Sequence, residues 1–367
     1  MLKRIIVSTL LILLTLTPAA YAGQPAGSTD QNLTLDVNQA VNMALKNSTA
    51  LKTADYNVER ANEVQEAADL KVIYIPTSPS NSPTADAYYT GAVSASISAR
   101  MAVKTKTVEE DRVVLTAVRD YNSLLNAIAD QEYAKQNVAT TLMQYNNNRI
   151  SYDLGIVSSS QLIGYQASYQ AAKAGLDRAN LALDKAYLTF NSLLGLPIAS
   201  RPVLSEKPAY SALKLASADA KISGILDQCP TVWLAEQSAK LANLQASLWN
   251  AASNTPYEAQ IIDTKKAELT ASDTRTQMRD LINGLYNGIE QSEAAYDIYS
   301  QQVKAQTETV RVKRIMFDLG MATKYDVMSA ELLLADYQRT LNSTINNHEY
   351  LEMAFEKPWA YVASASN

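Results

Sequence analysis

Leu176, Ala179, Leu183, Ala186, Phe190 and Leu193 recur at steps of three and four, and so do Val114, Ala117, Tyr121, Leu124 and Ile128. That spacing predicts long helices joined along an apolar seam. Ala167, Ala171, Ala172, Ala174, Ala179 and Ala182 add small side chains that let neighbouring helices approach closely. The run from Tyr257 to Asp318 contains no Pro and few Gly. At ~1.5 Å per residue it would span roughly 90 Å as one helix, too long for a compact globule and suited to an extended bundle or a tube. Periodicity alone fits a rod-like coiled coil equally well. One stretch departs from this rhythm: Val93, Ala95, Ile97 and Ala99 alternate with Ser94, Ser96 and Ser98. Period two predicts a strand.

The plan is written twice. "YDLGIVSSSQLIGYQASYQAA" begins at Tyr152 and "FDLGMATKYDVMSAELLLADY" at Phe317, so that Gly155 and Gly320 lie 165 residues apart. In each, an aromatic precedes Asp-Leu-Gly, a Ser or Thr follows three residues after the Gly, and an Ala- and Leu-rich run resumes. Gly suits the left-handed residue that ends a helix, and Ser158 or Thr323 can cap the returning one. The openings at Leu33 and Leu213, each a short Leu-x-Leu strand-like start followed by a helix, repeat as well. Repeat one is residues 23–200, with a turn near 155; repeat two is residues 201–367, with a turn near 320. "GLP" at Gly195 reads as a helix stop closing the first.

The head "MLKR", the apolar run "IIVSTLLILLTLT" and the small-x-small "AYA" ending at Ala22 predict a signal peptide over residues 1–22, with the mature chain starting near Gly23. The protein is then exported. Losing Lys3 and Arg4 takes the formal charge from −5 to −7, which argues against nucleic acid as a partner. Cys229 is the only Cys, so no intrachain disulfide forms, and it reads as a buried thiol. His348, the only His, sits on an Ala/Leu-rich helical face with no metal-ligand spacing around it. No phosphate loop, nucleophile elbow or acid–base pair is present, so no enzyme and no cofactor is expected. Tyr outnumbers Phe by 21 to 3, which suits surfaces part packed and part wet.

The opening "LTLDVNQAVNMALKNSTALK", the two aromatic-x-x-Gly-x-x-Ser/Thr turns, "YDVMSAELLLADYQ" and "AYLTFNSLLGLP" together resemble the TolC-like outer-membrane efflux protein family over nearly the whole mature chain. The resemblance implies a mainly α fold in which long antiparallel helical hairpins from a homotrimer form an α-barrel tunnel. It implies four strands per protomer in a shared outer-membrane barrel. The tunnel's inner end would meet a periplasmic adaptor (membrane fusion protein) and, through it, an inner-membrane transporter, for efflux or type I secretion. Leu154, Gly155 and Ile156, with Leu319, Gly320 and Met321, are then the adaptor-contact turns. Asp326 falls on a position of the aperture constriction, Ser329 where a second acid can occur, and Gln161 and Gly164 at the uncharged matching positions of repeat one.

The sequence departs from that pattern where the strands belong. Residues 72–99 have room for one β-hairpin, while residues 251–259 have room only for a helix-to-helix connection, since nine residues cannot cross ~25 Å of apolar membrane twice. At most one short β-hairpin per protomer is expected, and with it weak membrane association. Two readings follow: an outer-membrane or periplasmic conduit, or an extracytoplasmic helical coiled-coil scaffold that kept the fold and lost the pore.

Overall fold

A computed structural model describes residues 33–75, 82–249 and 255–365. The expected signal peptide and the start near Gly23 lie outside the described residues. Strand β1 (Thr34–Leu35) leads into α1 (Val37–Asn47), α2 (Thr49–Asp69), the 71-residue α3 (Pro83–Asp153) and α4 (Ser159–Leu194). Strand β2 (Val203–Leu204) and a linker follow, then α5 (Ala218–Gln228), α6 (Pro230–Ser247), the 62-residue α7 (Tyr257–Asp318), α8 (Lys324–Glu356) and α9 (Pro358–Ala365). At ~1.5 Å per residue α3 runs ~107 Å and α7 ~93 Å. The α7 bounds are those read from the Pro-free run.

The 165-residue repeat reaches into the core. Val113, Ala117, Tyr121, Leu124 and Phe190 pack with α1 and β1 in repeat one, and Met278, Ile282, Tyr286, Ile289 and Phe355 hold the corresponding places with α5 in repeat two. Tyr121 meets Phe190 and Tyr286 meets Phe355, each at 6.0 Å between ring centres. The two halves join along α3 and α8. Asn122 donates through Nδ2 to the Asn346 carbonyl (3.2 Å) and to Glu349 (2.7 Å), and Asp130 pairs with Arg339 at 2.8 Å. As α3 advances α8 recedes, so this antiparallel register carries both Gly turns to the same end of the shaft.

The strand reading of residues 93–99 is corrected: they are helical, inside α3. The buried residues there are Ala92, Ala95 and Ala99, spaced three and four apart, and that spacing makes one helix face. The alternation with Ser lies across this face and has no partner strand among the described residues. Pro83, which reads as loop in sequence, occupies the first turn after the N-cap Ser82, where a missing N–H costs nothing. Residues 72–75 form no strand either, and residues 76–81 lie outside the described residues. In repeat two α6 ends at Ser247 and α7 starts at Tyr257; residues 250–254 of the expected helix-to-helix connection lie outside the described residues.

The described sheet is a single parallel pair, Thr34 beside Val203 and Leu35 beside Leu204. The Leu-x-Leu start of repeat one is therefore a strand, whereas Leu213–Leu215 is not. There the Leu213 N–H donates to Glu293 Oε1 at 2.7 Å, a side-chain acceptor in place of a ladder. Cys229 is fully buried, and burial pushes its thiol pKa up. His348 is buried between Glu293 (3.3 Å) and Glu352 (3.6 Å) under the ring of Tyr210.

Candidate functional site

Each long hairpin turns in the same way, bond for bond. Gly155 and Gly320 have φ of 71° and 73°, the left-handed region that a side chain disfavours. The Gly155 N–H donates to the Tyr152 carbonyl at 2.9 Å and the Ile156 N–H to Ser151 at 2.8 Å. The Gly320 N–H donates to Phe317 at 2.9 Å and the Met321 N–H to Met316 at 2.7 Å. These six-to-one and five-to-two bonds are a Schellman motif, which satisfies the last carbonyls of α3 and of α7. A two-way cap opens the returning helix. Ser158 Oγ accepts from the Gln161 N–H while Gln161 Oε1 accepts from the Ser158 N–H. Thr323 and Asp326 make the same exchange at 3.2 and 2.8 Å. Four terminal backbone groups per turn are thus met within a dozen residues, and the tip is rigid without tertiary support.

Rigidity leaves the turn's apolar side chains facing outward. Leu154, Ile156, Leu319 and Met321 are 70%, 74%, 68% and 69% exposed. Beside them Ile150 and Tyr152, and at the equivalent positions Ile315 and Phe317, are also exposed. The contact residues named from sequence stop at the turn itself and omit these four. The aromatic of each motif carries the signal for Tyr152 and Phe317; Ile150 and Ile315 show only once the helix faces are known. A helix end with no apolar neighbour to cover it presents two matching apolar knobs per chain at one end of the shaft.

The two knobs differ in charge. In repeat two Arg314 crosses from α7 to Glu331 on α8 at 2.6 Å; the equivalent residues of repeat one are Arg149 and Gln166, which cannot form that pair. Asp326 is the acidic member of its cap, and its equivalent Gln161 makes the same bonds without charge. The backbone N–H of Thr323, then its hydroxyl, hold the Asp326 carboxyl below the usual aspartate range. Both bonds fall on Oδ2, so the cap does not exhaust the carboxylate's capacity to accept. Because the folded pKa is depressed, the cap's contribution is present above the ordinary aspartate value and is lost as pH falls through the lower folded one. A carboxyl-carbon NMR titration should place the Asp326 midpoint below that of an exposed aspartate. Thr323→Val should return it only part-way, since the larger cause is a backbone N–H that Val keeps. A Thr323→Val midpoint equal to wild type would deny the hydroxyl any part.

Among the described residues no group of three or more His, Cys, Asp or Glu is placed to hold a metal, and no helix is long and apolar enough to cross a membrane.

No protein-family model and no curated protein matches the sequence. Solved structures do match the fold. The outer membrane protein VceC of Vibrio cholerae superposes with a TM-score of 0.64 at 14% identity, over 88% of this chain and 95% of that one. The outer membrane channel MtrE of Neisseria gonorrhoeae, in its open state, gives 0.59 at 15% identity over 87% and 88%. The outer membrane channel CmeC of Campylobacter jejuni gives 0.58 at 13% over 89% and 86%. With its long helices, its doubled hairpin and nearly full-length superposition on all three, the chain has the fold of the TolC-like outer-membrane efflux channels.

Proposed function

We propose that the protein is a subunit of an exported, non-enzymatic conduit. Three copies close their helical hairpins into a tunnel at the outer membrane and periplasm. A periplasmic adaptor, bound to an inner-membrane transporter, seats on the turns, and cargo leaves by efflux or type I secretion. The observation that carries this reading is the pair of rigid, exposed apolar knobs, Leu154-Gly155-Ile156 and Leu319-Gly320-Met321, at the same end of a shaft ~100 Å long. Exposed Ile163, Leu181, Leu269 and Ile298 along the shaft supply flanks for neighbouring copies. Asp326 would then stand near the narrowest part of the tunnel, as a ring of three carboxylates. No cofactor and no nucleic acid enters this scheme.

Photo-crosslinkers at residues 154 and 319 in cells should trap one and the same periplasmic protein from both turns, and the purified chain should scatter light as a trimer. A compact monomer, or turns that trap nothing while the protein is transport-competent, would sink the proposal. The helical character of residues 83–99 favours a second reading, an extracytoplasmic scaffold with the fold but no pore. Single-particle images separate the two as a hollow three-fold tube against a solid rod.

A further inference from the structure

The end of the shaft remote from the turns is built of material unlike the rest of the chain. α6 runs antiparallel to α7, with Glu236 at Arg275 and Asn243 at Glu268, so the C-terminal end of α6 and the N-terminal end of α3 reach toward the same end of the shaft. Arg100 of α3 lies over Trp233 of α6 at 5.4 Å. From that level α3 continues ~25 Å back to Pro83 and α6 ~21 Å on to Ser247, and both stop at about the same height. α2 heads the same way from Asp55, which pairs with Lys106 at 2.6 Å, and ends at Asp69, ~13 Å short of Pro83, where residues 70–75 take over.

Charge is confined to the borders of the tip here, with exposed Asp69 ending α2 and Glu258 in the first turn of α7. In a chain that is 19% charged, residues 70–99 carry only Lys71 and Asp86, and residues 244–257 carry none. What replaces charge is apolar and aromatic. Leu70, Ile73 and Ile75 are 83%, 85% and 67% exposed, and Tyr74 and Tyr88 are exposed as well. On the other hairpin Trp249 donates its indole N–H to the Thr255 carbonyl at 2.8 Å and packs on Tyr257 at 5.5 Å. Tyr and Trp with aliphatic neighbours, bordered by charge rather than interspersed with it, are the side chains that settle at the boundary between lipid headgroups and acyl chains.

Spanning is a different matter. Between α2 and α3 the chain of residues 70–82 reaches at most about 43 Å fully extended, and residues 248–256 at most about 30 Å, at ~3.3 Å per residue. Neither can cross ~25 Å of hydrocarbon and return.

We infer that this end is a peripheral bilayer-docking surface: Ile73 and Ile75, with Leu70, Tyr74 and the Trp249–Tyr257 pair, seat in the headgroup–acyl boundary of a lipid bilayer without crossing it. One exposed cation, Lys71, makes little of an electrostatic anchor, so binding needs no anionic lipid and resists salt. The inference is independent of what docks on the turns at the other end.

The test is flotation of the full chain with pure phosphatidylcholine vesicles, with planar-bilayer conductance alongside. Expected are co-flotation unchanged between low and high salt, no conductance from the protein alone, and about tenfold weaker partitioning for each of Ile73→Asp and Ile75→Asp, at unchanged melting temperature and assembly mass. Leu154→Asp, at the opposite end, should float as wild type while losing its crosslink, which keeps failure of the two readings apart. Absence of flotation, flotation indifferent to both Asp variants, or stable channels from the purified protein would overturn the inference. So would a doubled assembly mass that Ile73→Asp halves, which would give the surface to a second copy of the assembly.

Discussion

Under the proposed function, replacing Gly155 and Gly320 together by Val is expected to abolish transport while the core around Tyr121 and Phe190 stays folded. At φ near +70° a β-branched residue costs roughly 1–2 kcal/mol. Around both glycines an added Cβ meets nothing within 4 Å, so the cost is backbone strain rather than collision. The strained turn can relax only by giving up its left-handed residue, and with it the two Schellman bonds that aim Leu154, Ile156, Leu319 and Met321 outward. Each single variant should lose part of the activity, because the other knob survives. The two turns lie far from Tyr121 and Phe190, so thermal unfolding followed at the core should shift by no more than the strain itself. Gly195 is the contrast: its φ is 72°, and an added Cβ would stand 2.6 Å from Asn47 Oδ1, a side chain that bonds the Ser192 and Leu193 carbonyls. Gly195→Val should therefore destabilise the core and spare the tips. Wild-type transport by the double tip variant would show that neither turn is a contact.

Tyr121→Ala should cost the fold about 4 kcal/mol, the most of any single truncation in repeat one. Its ring is fully buried against Phe190. Its hydroxyl accepts from the Glu206 N–H at 3.2 Å and donates to the Glu206 carbonyl at 3.0 Å or the Leu35 carbonyl at 3.2 Å. One side chain thus ties β1 and the inter-repeat linker to α3. Truncation opens a cavity and also removes the partner of the part-buried Glu206 N–H and carbonyl, while the Leu35 carbonyl keeps its bond from the Ser205 N–H. Tyr121→Phe isolates the second effect at ~1–3 kcal/mol. Tyr286 holds the equivalent place in repeat two but is only half-buried, so Tyr286→Ala should cost less than Tyr121→Ala. Urea denaturation of the three variants gives the order, and a Tyr286→Ala loss equal to that of Tyr121→Ala would refute the asymmetry.

The turns are the part of the molecule most fully written in sequence. Asp-Leu-Gly followed by Ser or Thr specifies bonds that close within six residues, and capping and left-handed φ are local demands that no neighbour has to meet. The long helices were legible for the same reason: a three-four seam sustained over many turns can satisfy only one period. Of the six contact residues named from the turns, all stand exposed or at the bend. Asp326 was legible as a carboxylate in the first turn, but its bonds to Thr323 needed the geometry.

What tertiary structure alone decided are the places where two local readings compete or where partners are distant in sequence. Val93 to Ala99 alternates as a strand would, yet every Ala and Ser there is compatible with a helix. The choice fell to Ala92, Ala95 and Ala99, which can be buried together only on a helix face packed by its neighbours. The pairing of Leu35 with Leu204, the clamp of Tyr121 on Glu206 and the placing of His348 between Glu293 and Glu352 join residues whose spacing in sequence carries no sign of contact. Burial is a property of neighbours, and the chain sets its neighbours only by closing its long hairpins. Sequence therefore determined the turns, the helices and their doubling, while packing determined which helix faces are hidden and that residues 83–99, toward the remote end, are helical.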